Sequence, residues 1–195
     1  MAVDALAAIG ARRSIGRLVA PAPDGAALDA ILRAGASAPD HGELRPFRFH
    51  VLRGPSLDRF GEVLEAAYRA RCASLEAAAV PAKAEKERSK LRRAPLVVVV
   101  SAVRVESEKI PWIEQQQAAA AACQNILLAA TSLGYGSMWR TGEPVYDDLV
   151  KEALGLRPED AIAGFLYLGT VPADASGAKP ARSLDLDGLV DEWTP

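Results

Sequence analysis

The feature that most constrains this chain is a run of seven residues, numbers 95–101, that reads Pro-Leu-Val-Val-Val-Val-Ser. β-Branched side chains such as valine favour extended backbone, so the run predicts a β-strand. Because no polar residue alternates with the valines, both faces of this strand need burial, which is typical of a central strand. We therefore expect a layered protein, α+β or α/β, in which helices wrap a sheet.

The other segments supply the remaining layers. Further strands are predicted over residues 47–52, 137–139 and 162–170. Helices are predicted over residues 3–12, from Asp24 as the N-cap to before Pro39, over 56–93 with a break near Val80 and Pro81, over 112–133, and from Pro144 to Leu154. The longest helix contains five consecutive alanines, which reflect helix propensity alone or allow close packing in the core or at a dimer interface.

Composition excludes several classes of function. The net charge of −2 gives no reason to expect nucleic acid or an anionic membrane surface as a partner. The basic residues of 83–93 are not interleaved with aromatic ones, so we interpret them as a solvated helix face. Cys72 and Cys123 lack metal-ligand spacing, which predicts neither a metal site nor a disulfide framework. With neither a signal peptide nor a spanning segment in the pattern, a cytoplasmic location is expected.

A short basic stretch, Arg12-Arg13-Ser14, follows the first predicted helix. Two guanidiniums and a hydroxyl form a donor set that suits a phosphate group. The alternative is a helix end whose arginines complement the helix dipole and remain in water. The stretch alone does not decide between these two interpretations.

Four stretches, in order along nearly the whole chain, resemble the nitroreductase family of FMN flavoproteins. They are Arg-Arg-Ser at 12–14, Ile-Leu-Arg-Ala-Gly-Ala-Ser-Ala-Pro-Asp-His at 31–41 with Arg-Pro-Phe at 45–47, Leu-Gly-Tyr-Gly-Ser-Met-Trp-Arg-Thr at 133–141, and Gly-Phe-Leu-Tyr-Leu-Gly-Thr at 164–170. The second and third look most like the small YdjA-like NAD(P)H nitroreductases. The resemblance implies one domain, residues 1–195, with an α+β sandwich fold, a mostly antiparallel sheet and an intertwined homodimer. It also implies that flavin lies at the subunit interface, and that residues 171–195 dock on the partner subunit.

The resemblance assigns residues to the flavin. Arg12, Arg13 and Ser14 would hold the FMN phosphate and ribityl chain, and Trp139, Arg140 and Thr141 would line the flavin from the same subunit. From the partner subunit, His41 and Ser37 would reach the flavin. Close relatives carry arginine at position 37, so that guanidinium contact is missing here or supplied otherwise. Arg182 resembles a basic C-terminal position that some members use on the phosphate. The nicotinamide cofactor, NADH or NADPH, would lie against Ala129, Ala130, Thr131, Ser132, Leu133 and Gly134.

Several residues have an alternative interpretation that does not depend on the resemblance. Without it, His41 would be an ordinary turn histidine and Trp139 a core residue at a strand end. His50 alternates out of phase with its aromatic neighbours on the predicted strand and is interpreted as structural. The tail contains Leu184, Leu186, Leu189, Val190 and Trp193, too apolar a set for a free segment, so we expect it to dock.

The implied function is a ping-pong oxidoreductase. Hydride passes from NAD(P)H to the flavin and then to a nitro, quinone or related small electrophile, so no catalytic side chain is required. Two alternatives remain at this point: a dimer that stores or senses FMN with negligible turnover, and an enzyme of the same fold with other flavin chemistry, such as dehalogenation or flavin cleavage.

Overall fold

The computed structural model describes residues 4–73, 80–174 and 185–194. Within these ranges four strands form one sheet: β1 (Phe47–Arg53), β2 (Leu96–Ala102), β3 (Gly136–Arg140) and β4 (Ala161–Gly169), in the order β1-β2-β4-β3. Each neighbouring pair is antiparallel, as the predicted fold class requires. All seven residues of β2 are buried, and β2 lies between two other strands. The predicted central strand is therefore confirmed.

Helices cover both faces of this sheet. They are α1 (Ala5–Ala11), α2 (Gly25–Ala36), α3 (Pro55–Arg71), α4 (Val80–Ser89), α5 (Trp112–Ser132) and α6 (Asp148–Ala153), with 3-10 turns at His41–Glu43, Lys90–Arg93 and Glu143–Tyr146. None of these helices combines the length and apolar character needed to cross a membrane.

The sheet separates two apolar clusters, because successive strand side chains point to opposite faces. On one face, Val98 and Val100 pack with α2 and α5. On the other, Val97 and Val99 pack with α3 and α6. The same alternation places Trp139 with the α5 cluster and Met138 with the α3 cluster. Position along a strand thus decides which face a side chain reaches.

Helix α5 fits closely against α2 and the sheet. Ala119 and Ala122 are fully buried, which favours the core interpretation of the alanine run. At Gly35 of α2, an added Cβ would lie 2.7 Å from a side-chain carbon of Ile126, so only glycine permits this approach. Asn125 Nδ2 also donates to the Ala34 carbonyl at 3.1 Å. These contacts fix α2 on α5, and with it the loop that follows α2.

The helix predicted to begin at Pro144 was wrong, and the structure refines two other local predictions. Pro144 lies in the separate turn Glu143–Tyr146, while α6 begins at Asp148 because Asp147 is extended and its Oδ1 accepts from the Leu149 amide at 3.0 Å. Asp24 occupies the N-cap position of α2, but its side chain makes no capping hydrogen bond. The break predicted near Val80 and Pro81 within residues 56–93 is present: α3 ends at Arg71, and α4 begins at Val80.

The basic run lies largely at the surface, as predicted, but two of its arginines form ion pairs. Arg88 pairs with Glu62 at 2.8 Å and with Glu65 at 3.4 Å, and Arg92 pairs with Asp58 at 2.7 Å. All three acids belong to α3. The cations of this run therefore hold α4 and the turn after it against α3.

Candidate active site

The basic stretch at residues 12–14 meets the outer edge of β3 at Ser14. Ser14 forms a parallel bridge with Ser137, and the Ile15 amide donates to the Ser137 carbonyl at 3.0 Å. Since α1 ends at Ala11, this pairing begins as soon as the helix stops. The structure thus joins two stretches that lie more than a hundred residues apart in the sequence.

The edge of β3 remains partly open beyond this bridge. In an antiparallel strand, the N–H and C=O of one residue point to one side and those of the next residue to the other. The Ser137 carbonyl faces Ile15, away from β4, so the backbone groups of Trp139 face the same way. In the part of the chain that the structure describes, β3 is an edge strand of the sheet. The edge therefore offers a backbone donor and acceptor at Trp139.

The two arginines beside this edge have no acidic partner among the described residues. Arg13 Nη1 donates to the Gly10 carbonyl at 2.6 Å and to the Arg12 carbonyl at 2.8 Å. The Arg12 side chain donates no hydrogen bond to a described group. Because a guanidinium carries five N–H donors in a fixed fork, most of the donors here remain available for an anion.

A buried hydroxyl lies on the same strand, and sequence reasoning missed it. Ser137 is 1 % exposed, and its Oγ has no hydrogen-bond partner among the described residues. An unsatisfied buried polar group costs stability, so such a group is a candidate contact for a ligand. The sequence could have indicated Ser137, because Ser137 and Trp139 are two residues apart on one strand and therefore share a face.

Trp139 and Arg140 lie on opposite faces of the sheet. Trp139 Nε1 donates to the Ala163 carbonyl at 3.0 Å, and at Gly164 an added Cβ would overlap the indole. Arg140 lies on the α3 face, where its guanidinium carbon is 6.0 Å from the centre of the Tyr167 ring. A ligand that contacts both residues must therefore lie at the end or edge of β3, with Thr141 exposed just beyond it.

Burial on the α3 face affects Tyr167. Desolvation raises the pKa of Tyr167 to about 12, although the charges of Arg140 and Arg93 act in the opposite direction. The phenol is therefore neutral at physiological pH. Arg140 and Thr141 also line a small cavity with Lys90, a residue that sequence reasoning did not connect with the site. In the sequence, Lys90 stands out only as part of the basic run, because fifty residues separate it from Arg140.

Ser37 and part of the predicted nicotinamide segment line one groove of about 400 Å³. Its lining residues are Ala5, Ala8, Ala34, Ser37, Asn125, Leu128, Ala129 and Ser132. Ser37 Oγ donates to the Arg33 carbonyl at 2.8 Å, within its own helix. Ala130 is fully buried in the core, so its side chain faces no ligand, whereas Leu133 and Gly134 are exposed.

In the folded chain, His41 lies away from the residues of β3. Its turn precedes β1, whereas Trp139 and Arg140 belong to β3 at the opposite edge of the four-stranded sheet. Three interstrand spacings separate these edges, about 14 Å. His41 Nδ1 lies 2.7 Å from Glu114 Oε2 at the start of α5, a contact that sequence reasoning missed. A single chain therefore does not bring His41 together with residues 12–14.

His50 and the tail complete the predicted residues. His50 is half-buried on β1, where burial, and secondly the charge of Arg48, lowers its pKa, so the ring is neutral at pH 7. Arg182 and Leu184 lie outside the described residues. The tail side chains that the structure does describe are strongly exposed in one chain: Leu186, Leu189, Val190 and Trp193.

Comparisons with known proteins agree with this architecture. The family model described as "Nitroreductase family" matches residues 9–170. The chain therefore belongs to the nitroreductase family, a class of oxidoreductases. It is 40 % identical over 174 residues to "Putative NAD(P)H nitroreductase YdjA" of Escherichia coli strain K12, covering 89 % of this chain and 92 % of that relative.

Solved structures show the same fold. One is a nitroreductase-like family protein from Bacillus cereus, with a TM-score of 0.79 at 19 % identity, covering 100 % of this chain and 98 % of that one. Another, described as "a putative nitroreductase in complex with FMN", comes from Desulfovibrio desulfuricans, with a TM-score of 0.70 at 28 % identity over the full length of both chains.

Proposed function

We propose that this protein is an FMN-dependent oxidoreductase that takes electrons from NADH or NADPH and reduces a nitro, quinone or related small electrophile. The observation that carries the proposal is the pair of guanidiniums, Arg12 and Arg13, that lie beside the open edge of β3 without an acidic partner among the described residues. Family membership and a relative named as an NAD(P)H nitroreductase support it, as does an FMN complex of similar fold.

The residues present fit FMN. Its phosphate is an anion with several acceptor oxygens, and Arg12 and Arg13 offer charge-assisted donors, each worth about 1.5–3 kcal/mol. Its ribityl chain carries hydroxyls, and the exposed Ser14 hydroxyl suits such groups. The backbone amide and carbonyl of Trp139 would pair with the polar edge of the ring system. The proposed FMN contacts are based on this match between the donors and acceptors of the protein and those of FMN.

Arg140 has an electrostatic role in this proposal. It places a permanent positive charge near the end of β3, half-buried beside an aromatic ring. The chemistry that bound FMN supplies is two-electron transfer, with hydride taken from NAD(P)H and then given to the acceptor at one site in turn. A nearby cation favours the negative charge that accompanies reduction. Thr141, exposed next to Arg140, would contact the same ligand.

We propose that a second copy of the chain supplies the other half of the site. His41 would reach the flavin of the partner, and Ser37 would lie near it. The distance between the two sheet edges supports this arrangement for His41, because one chain holds the turn at His41 and the strand that carries Trp139 and Arg140 at opposite edges of the sheet. The tail would pack on the partner subunit, and Arg182 would lie near the phosphate. Residues 1–195 would form a single domain. The groove along Ser37, Ala129 and Ser132, with Thr131, Leu133 and Gly134 beyond it, would accommodate the nicotinamide.

The test is anaerobic mixing of the FMN-loaded protein with NADH and with NADPH. Bleaching of the flavin absorbance within seconds, followed by reoxidation on adding a nitroaromatic compound or a quinone, is the expected result. A flavin that stays oxidised for an hour with both nucleotides would contradict the proposed turnover and would favour storage of FMN. A protein that binds no added FMN would contradict the whole proposal.

A further inference from the structure

The contact between His41 and Glu114 joins residues that are 73 positions apart in the sequence. The two side chains are partly exposed, 62 % and 40 %, yet Nδ1 and Oε2 lie 2.7 Å apart. An ionised carboxylate only accepts hydrogen bonds, so at this distance Nδ1 carries the proton and donates it. The hydrogen bond at one ring nitrogen determines the tautomer, and it leaves Nε2 as the nitrogen that faces other partners.

The Glu114 side of this contact is held in place. Glu114 lies in the first turn of α5, where the helix dipole favours a carboxylate. The next residue, Gln115, is 2 % exposed and clamps the preceding loop, because its Oε1 accepts from the Val105 amide at 2.9 Å and its Nε2 donates to the Val105 carbonyl at 2.8 Å. The backbone that carries Glu114 at the beginning of α5 is therefore held in place.

The His41 side is held as well. The backbone has positive φ at Gly42, Glu43 and Arg45, with values of 69°, 53° and 48°. Such conformations cost energy in non-glycine residues and persist only where the surroundings impose them. Here the Asp40 carboxylate accepts from the Arg45 amide, and Gly42 packs against the buried Ile110 just before α5. The loop backbone therefore holds position 41 beside the beginning of α5.

From this geometry we infer that Glu114 is a positioning residue for His41. It holds the ring with Nδ1–H donated to the carboxylate, so that Nε2 is the atom presented to the FMN of the partner subunit. The inference rests on the proposed function, which assigns His41 to that flavin. It adds the residue that orients His41 and the nitrogen through which His41 acts.

The test combines FMN affinity with the tautomer of His41. FMN dissociation constants are measured for wild type, His41→Ala, Glu114→Ala and the double variant, together with thermal melts and sedimentation to check folding and assembly. Glu108→Ala is the matched control, because it removes an exposed carboxylate from the loop before α5. The chain has two histidines, so ring ¹⁵N–¹H spectra are simple, and the signals missing from His41→Ala belong to His41.

Glu114→Ala is expected to weaken FMN binding about fivefold, as coupled neighbours do, and to add nothing in the His41→Ala background. The His41 ring should carry its proton on Nδ1 in wild type and lose that preference in Glu114→Ala. Glu114→Gln should recover part of the affinity, because its amide oxygen still accepts from Nδ1, and Glu108→Ala should bind FMN like wild type.

Two outcomes would overturn the inference and can be told apart. If His41→Ala weakens FMN binding but the Glu114→Ala effect adds to it in full, or the tautomer is unchanged, the positioning role is wrong and the proposed function stands. If His41→Ala leaves FMN affinity unchanged, both the inference and the assignment of His41 to the flavin are wrong.

Discussion

Substitution of Arg12 by alanine tests the proposed phosphate site. The Arg12 side chain donates no hydrogen bond to a described group, whereas Arg13 Nη1 donates hydrogen bonds to two carbonyls. Arg12 is therefore the guanidinium with more donors available to a phosphate. Loss of one charge-assisted hydrogen bond costs about 1.5–3 kcal/mol, which corresponds to a rise in the FMN dissociation constant of about 10- to 150-fold. We expect Arg12→Ala to lie in this range and Arg13→Ala to have a smaller effect.

The assay is titration of the apoprotein with FMN, followed by quenching of flavin fluorescence, at one fixed salt concentration because exposed charges are screened by salt. Arg17→Ala is the control, since it removes an exposed arginine three residues after Ser14 and leaves residues 12–14 intact. Its affinity should match wild type. An FMN affinity for Arg12→Ala within twofold of wild type, with an unchanged thermal melt, would refute the assignment of Arg12 to the phosphate.

Three further predictions concern the surroundings of the site. Gly164→Ala should displace the Trp139 indole and lower the free energy of unfolding by about 2 kcal/mol, measured by urea denaturation, because the added methyl group overpacks the contact. Burial tends to raise the pKa of Asp160, but hydrogen bonds, chiefly from Arg157, outweigh this and hold it below the ordinary 3.8. A carboxyl group with a depressed pKa in the folded state stabilises the fold at pH values above its unfolded-state pKa, and this contribution is lost as the pH falls through the folded-state pKa. Asp160→Asn should therefore lower the free energy of unfolding at pH 7 by about 2 kcal/mol and reduce the loss of stability below pH 4. Trp193→Ala should weaken the proposed dimer in sedimentation experiments, because the tail is proposed to pack on the partner and this side chain is 85 % exposed in one chain.

The fold was largely predictable because it depends on local patterns. The valine run fixed β2 as the central strand, and the alanine-rich segment fixed α5. The errors arose where a single residue competes with its neighbours. Proline at 144 suits the first turn of a helix, yet the extended Asp147 starts a new helix three residues later. Sequence signals of this kind are ambiguous until the flanking backbone is known.

The candidate site was predictable only in part, because its contacts are long-range. The resemblance placed residues 12–14 and 139–141 in one site, and the bridge between Ser14 and Ser137 brings these stretches together. The contact between His41 and Glu114 left no local signal, since it depends on where the loop after α2 meets the start of α5. The opposite facing of Trp139 and Arg140 follows from strand alternation and could have been predicted.

The central claim is that each FMN site is built from two chains, with Arg12 from one and His41 from the other. The most direct measurement mixes Arg12→Ala and His41→Ala proteins under conditions that exchange subunits, and then measures FMN binding. In a two-fold dimer, about half of the mixed population is heterodimeric and each heterodimer has one intact site, so roughly a quarter of wild-type sites should return. If every site lies within a single chain, mixing restores none, and that result would contradict the account.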